Sequence, residues 1–82
     1  MLRLVCMFDK KAETFTAPIC TPGIGQLARA IGESVNASDK SETFAKHPGD
    51  FQLFDVGSFD EVTGRLIPIV PKLILELSSL VE

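Results

Sequence analysis

His47 and Asp50 stand three residues apart in "KHPGD", and with Cys6 or Cys20 they would supply the residue types of a nucleophilic site. Nothing in their spacing joins them, and a histidine beside Pro48 in a polar run reads as loop surface. Asp50, Asp55 and Asp60 recur at every fifth position. On an extended chain successive members point to opposite faces, so they do not converge on a metal ion. Gly23-Ile24-Gly25 could offer backbone N–H groups to a phosphate. The run lacks the Lys-Ser/Thr ending of a P-loop and the third glycine of a dinucleotide fingerprint, which leaves tight-turn glycine as the simpler reading. Neither an enzyme nor a cofactor is expected.

Nucleic-acid contact is the remaining chemistry. Aromatic side chains on a strand surface, ringed by lysine and arginine, hold single strands without reading their sequence. Phe8, Phe54 and Phe59 are the aromatic candidates, with Arg3, Lys10, Lys11, Lys46 and Arg65 as the cations. Six phenylalanines with no Trp or Tyr point first to core filling, because phenylalanine has no polar handle for a wet surface. Lys plus Arg total 8 against 11 for Asp plus Glu, a net charge of −3. With no global basic field, phosphate contact requires a local patch.

The elements that position these residues form one domain, residues 1–82. A composition of 45% hydrophobic and 23% charged residues fits a folded chain. Leu2 to Phe8 carries apolar side chains on both alternating faces and needs cover on each. "DKKAE" turns the chain into "TFTAPIC", which Pro18 marks as an edge or an end. A hairpin centred near Lys11 sets Cys6 opposite Thr16 and Cys20 opposite Leu2, about 13 Å apart along the strands and beyond disulfide reach. Both cysteines are expected as free thiols, and they lack the further ligands of a zinc site.

"TPGIGQLARAIGESVN" predicts a helix with Thr21 as N-cap, Pro22 at its first position and Asn36 as its stop. Ile24, Leu27, Ala28, Ile31 and Val35 form its apolar stripe. A polar loop follows, anchored by Phe44. "FQLFDVGSF" and "RLIPIV" then read as a hairpin, with Asp60 and Glu61 opening the turn and Gly64 at its positive-φ position. The tail, residues 71–82, fits a helical face through Leu73, Leu77, Leu80 and Val81 and also alternates as a strand through Leu73, Leu75 and Leu77. Pro71 and the tail's length favour helix. The expected fold is α+β: an antiparallel sheet of about four strands, β-β-α-β-β, with one main helix on one face and a C-terminal helix or strand. One helix covers one face, so the second apolar face is left for the tail or for another subunit, and a homo-oligomer is expected.

The N-terminal apolar stretch is interrupted by Arg3 and is too short for a signal peptide. "LIPIVPKLILEL" is broken by Pro68, Pro71, Lys72 and Glu76 and cannot span a bilayer as a helix, so no membrane role is expected and the chain reads as soluble and intracellular.

"VCMFDKKAETFTAP", "QLARAIGESVN" and "FAKHPGDFQLFDVGSFDEVTG" together resemble the small non-structural protein of gokushoviruses, microviruses among the tailless single-stranded DNA phages. The likeness covers about residues 4–67. It is sharpest at Lys46, His47, Pro48, Asp50, Phe51, Leu53, Gly57, Phe59, Asp60, Thr63 and Gly64, with Arg29 at the helix arginine. The sequence departs from the group at Ile31 and Phe8, where a bulky aromatic and a tyrosine are usual. The resemblance implies a DNA-binding protein acting in single-stranded genome synthesis or packaging, in the cytoplasm of the infected bacterium. Lys10, Lys11, Arg29, Lys46 and Arg65 are then the expected phosphate contacts, and Phe54 and Phe59 the stacking partners. The second expectation is a protein-interaction module that engages a phage replication, capsid or host protein through the open apolar face.

Overall fold

The computed structural model describes residues 1–82. Strand β1 (Leu2–Asp9) is followed by the short strands β2 (Thr14–Phe15) and β3 (Ile19–Thr21), helix α1 (Ile24–Val35) and a short helix α2 (Thr43–Lys46). A 3-10 turn at Pro48–Asp50 leads into β4 (Phe51–Asp60) and β5 (Arg65–Glu76), and a second 3-10 turn, Leu77–Leu80, ends the fold. All strands are antiparallel in the order β2-β1-β4-β5, with β3 continuing the β2 side of β1. The expected α+β domain is what the chain forms.

Neighbouring Cα partners share a face of a pleated sheet. The register therefore places Val5 and Met7 of β1 with Phe51 and Leu53 of β4 on one face. There they are buried with Ile31 and Val35 of α1 and with Leu77. The helix stripe read from the sequence is the one that packs: Ile24 and Leu27 close the cluster's margin, and Phe44 anchors the loop to it.

Four local readings are corrected. Thr21 is not the helix N-cap. It pairs with Arg3 as the last residue of β3, and its Oγ1 donates to the Gly23 carbonyl (2.8 Å) and accepts from the Gly23 amide (3.2 Å), while Gly23 itself caps α1. Pro22 is accordingly outside the helix. The first hairpin pairs Asp9 with Thr14, and Cys20 lies opposite Leu4 rather than Leu2. Pro18, which has no N–H, interrupts the ladder and lets the register slip by one residue between β2 and β3. The cysteines are thus diagonal neighbours and remain free, Cys6 buried and Cys20 exposed. Finally, residues 71–76 are strand and not helix. Pairing Leu73 with Phe54 and Leu75 with Leu53 extends the sheet to Glu76, after which Leu77 turns into the core with no exposed surface.

Both hairpins use the same four-residue turn. In the second, Gly64 (φ +75°) donates its amide to the Asp60 carbonyl at 2.7 Å, and Asp60 Oδ1 accepts the Val62 amide at 3.0 Å. In the first, Glu13 N–H reaches the Asp9 carbonyl at 2.8 Å, and Asp9 Oδ1 accepts the amides of Lys11 (2.9 Å) and Ala12 (3.2 Å). Here the left-handed position is filled by Glu13, at φ +57°. Left-handed backbone costs a non-glycine residue about 1–2 kcal/mol, against about 0.5–1 kcal/mol of extra chain freedom for glycine. Glu13→Gly is therefore expected to stabilise the fold by about 0.5–1 kcal/mol, read as a higher urea midpoint with an unchanged slope.

The far half of the β4–β5 hairpin bends away at a double irregularity. Val56 is extra relative to β1, and Ile69, Val70 and Pro71 stand opposite it without partners. Asp55 pins the bend: Arg3 Nη2 donates to both of its carboxylate oxygens (2.8 and 2.7 Å), and its Oδ1 also accepts the Gly57 amide at 3.1 Å. Beyond it lies the far arm of the hairpin, residues 57–70, where Gly57, Ser58 and Phe59 still pair with Leu4, Arg3 and Leu2 of β1; the molecule measures 41 × 25 × 19 Å. The tail runs to the helix side of the sheet, where Asn36 Nδ2 donates to the carbonyls of Gly32 (2.9 Å) and Leu80 (2.8 Å) and Asn36 Oδ1 accepts the Glu82 amide (2.9 Å). The second sheet face is left open.

Candidate nucleic-acid interface

On the open face, β1, β2 and β4 each contribute one phenylalanine. Phe8 pairs with Phe15 across the first hairpin, and Phe54 follows on β4 opposite Cys6. Ring centroids lie 4.8 Å apart for Phe8–Phe15, 5.3 Å for Phe15–Phe54 and 6.2 Å for Phe8–Phe54. Phe15 and Phe54 sit on strands separated by β1, so their contact requires the sheet to curl, concave on this side. Phe15 is 46% exposed and Phe54 and Phe8 are half-buried, which leaves ring surface open to a ligand. Leu73, opposite Phe54, extends the patch.

Lys10 and Lys11 stand in the turn at the end of this patch, both exposed. Lys10 Nζ lies 3.2 Å from Glu76 Oε1, and Glu76 Oε2 accepts Gln52 Nε2 at 2.6 Å. The Gln52 amide and then the Lys10 ammonium hold the Glu76 carboxyl below its ordinary range. Its share of stability is therefore present above the usual glutamate range and is lost as pH falls through the lowered value. Lys11 has no ion-pair partner.

The other expected contacts are dispersed. Phe59 lies on the same face but out on the arm, between Leu2 and Leu66. Arg65 begins β5 opposite Asp60, separated from the Lys10 turn by the length of β4, about 30 Å. Arg29 is on the outer surface of α1, 3.8 Å from Glu33, and Lys46 ends α2 beside α1, so both belong to the helix side. Among the candidates, Phe8 and Phe54 are brought together, with Lys10 and Lys11 in the turn at the end of the same face.

The alternative constellations do not assemble. Asp55 is engaged by Arg3, and Asp60 is engaged by its own turn, where the Val62 amide and then the Thr63 side chain hold its carboxyl below the usual range. His47 is exposed, and its link to Asp50 is a backbone one. Burial pushes the Cys6 thiol up, away from the reactive thiolate. No group of three His, Cys, Asp or Glu side chains is placed to hold a metal ion. No helix is long and apolar enough to cross a membrane.

Phe15 and Glu76 are the site residues that sequence reasoning missed. Phe15 carried a signal, since any register pairing 14–15 with 8–9 sets it beside Phe8. Glu76 carried none, being 66 residues from Lys10.

A family model described as "Phage ORF5 protein" matches residues 2–80. Neither a curated protein nor a solved structure matches the chain.

Proposed function

The chain belongs to the Phage ORF5 protein family, and from that premise we propose that this phage accessory protein binds single-stranded DNA on its open, concave sheet face. One observation carries the reading: three phenylalanine rings are gathered on a face that nothing in the chain covers, beside a turn bearing two lysines. Bases stack on Phe15 and Phe54, with Phe8 behind them, and the phosphates that follow meet Lys11 and Lys10. Stacking is sequence-tolerant and supplies most of the affinity in a protein of net charge −3. Such a protein serves single-stranded genome synthesis or packaging in the cytoplasm of the infected bacterium, in line with the likeness to the gokushovirus protein. Phe59 and Arg65 lie where a longer strand would continue along the arm, whereas Arg29 and Lys46 face the other way and would contribute only to a strand that wraps the molecule.

Fluorescence anisotropy with labelled oligonucleotides tests this. Affinity should be higher for single strands than for duplex and should fall with salt at a slope of about one to two phosphates. Absent binding at about 50 mM salt, where phosphate contacts are strong, would overturn it. Glu76→Gln is the sharper probe. It removes the carboxylate that neutralises Lys10, so single-strand affinity should rise a few-fold at low salt, and the acid-side loss of stability should flatten as the titrating group disappears.

The apolar character of the face favours a second reading, a module that engages a phage replication, capsid or host protein there. Retention of the replication initiator or capsid precursor in a pull-down with nuclease present distinguishes it.

A further inference from the structure

The row Phe15, Phe8, Gln52, Glu76 crosses the open face from β2 to β5, each residue opposite the next, and its β5 half is polar. Elsewhere on this face the register sets apolar side chains: Leu4, Cys6, Phe54, Phe59, Leu66 and Leu73. Gln52 stands opposite Phe8 and two residues along β4 from Phe54, about 7 Å away. A base stacked on Phe54 therefore has Gln52 and Glu76 within reach of its edge.

Hydrogen-bond capacity decides what that edge must carry. A carboxylate has about four acceptor sites. At Glu76, Gln52 Nε2 occupies one at 2.6 Å and Lys10 Nζ another at 3.2 Å. These donors hold the carboxylate in place and leave acceptor capacity free, on a side chain that is 39% exposed. Gln52 keeps the second N–H of its amide. An acceptor beside a donor complements the edges of cytosine and adenine, where an amino group adjoins a bare ring nitrogen. Thymine presents the reverse, a carbonyl oxygen beside a ring N–H, and would set that oxygen against the carboxylate.

Resting on the single-strand reading of this face, we propose that Glu76, held by Gln52, is a specificity-determining residue that selects cytosine and adenine over thymine in the base stacked on Phe54. Lys10 uses one N–H on Glu76 and has others for the phosphate that follows.

Fluorescence anisotropy with short oligo-dC and oligo-dU tests this at slightly alkaline pH, where cytosine is neutral and Glu76 ionised. The two probes share backbone and ring size and differ at the base edge, uracil having the edge of thymine. The wild type should bind oligo-dC about 3-fold to 10-fold more tightly, the worth of one net hydrogen bond. Glu76→Gln should bring the ratio close to one: the gain from freeing Lys10 appears in full on oligo-dU and is offset on oligo-dC. Lys10→Met, which keeps the carboxylate and its Gln52 bond, should weaken both probes and preserve the preference. Both substitutions are at partly exposed positions outside the core. Equal wild-type binding of the two probes overturns the proposal and leaves the single-strand reading standing. A preference that survives Glu76→Gln, or one that Lys10→Met abolishes, overturns it as well. Binding of neither probe fails the single-strand reading and this proposal with it.

Discussion

Gly57→Ala is expected to cost about 3 kcal/mol or more and to lower the melting temperature of this small domain by over 10 °C. A Cβ built at this position meets the Ile67 carbonyl oxygen at 2.3 Å and Pro68 Cα at 3.1 Å, both backbone atoms of the adjoining strand. Neither can rotate aside as a side-chain end would. The backbone φ of +149° adds a second cost, because an L-residue rarely adopts it. Relief by moving β5 would break the pairs Gly57–Pro68 and Ser58–Ile67. Domains of this length hold about 4–12 kcal/mol in total, so the loss is a large fraction of the stability. Thermal melting by circular dichroism checks it. A melting temperature within about 3 °C of wild type would mean that the close approach is not there.

Leu53 and Phe54, adjacent on β4 and pointing to opposite faces, should fail in different assays. Leu53 has no exposed surface and sits between Met7, Leu75 and the helix stripe, so Leu53→Ala should destabilise by about 2–5 kcal/mol. Phe54→Leu keeps the open face apolar and removes the ring. It should leave the denaturation midpoint within about 1 kcal/mol of wild type. Single-strand affinity should nonetheless fall about 5-fold to 100-fold, the range for one lost base–aromatic stack. The choice of leucine is deliberate: a merely greasy surface for a protein partner would tolerate it, whereas a stacking platform would not. Unchanged anisotropy for Phe54→Leu would remove the stacking role.

Where the fold was legible, the signal was local. Ile24, Leu27, Ile31 and Val35 announce α1 because one helix face must meet the sheet, and Gly64 marks the corner after Asp60 because the turn needs a positive φ there. The first hairpin hid the same corner, since Glu13 occupies the left-handed position without a glycine to mark it. The tail was undecided by its own residues: Leu73, Leu75 and Leu77 suit either period, and only Phe54 and Leu53, some twenty residues away, settle it as strand. The same distance problem governs the site. Phe8, Phe15 and Phe54 meet because the sheet curls, and Lys10 is neutralised by a carboxylate at the other end of the chain. Curl and long-range pairing leave no trace in composition or spacing. Lysines read as free cations from sequence therefore had to be recounted against their neighbours.

Strand β5 borders the sheet with no strand beyond it, and it carries Pro68 and Pro71 within its length. Exposed, greasy borders of this kind ordinarily invite neighbouring molecules to add on as further strands, and with each addition a new border forms. Two missing N–H groups deny that continuation a regular ladder. An added strand therefore finds no regular ladder to extend, and growth of the sheet stops at β5.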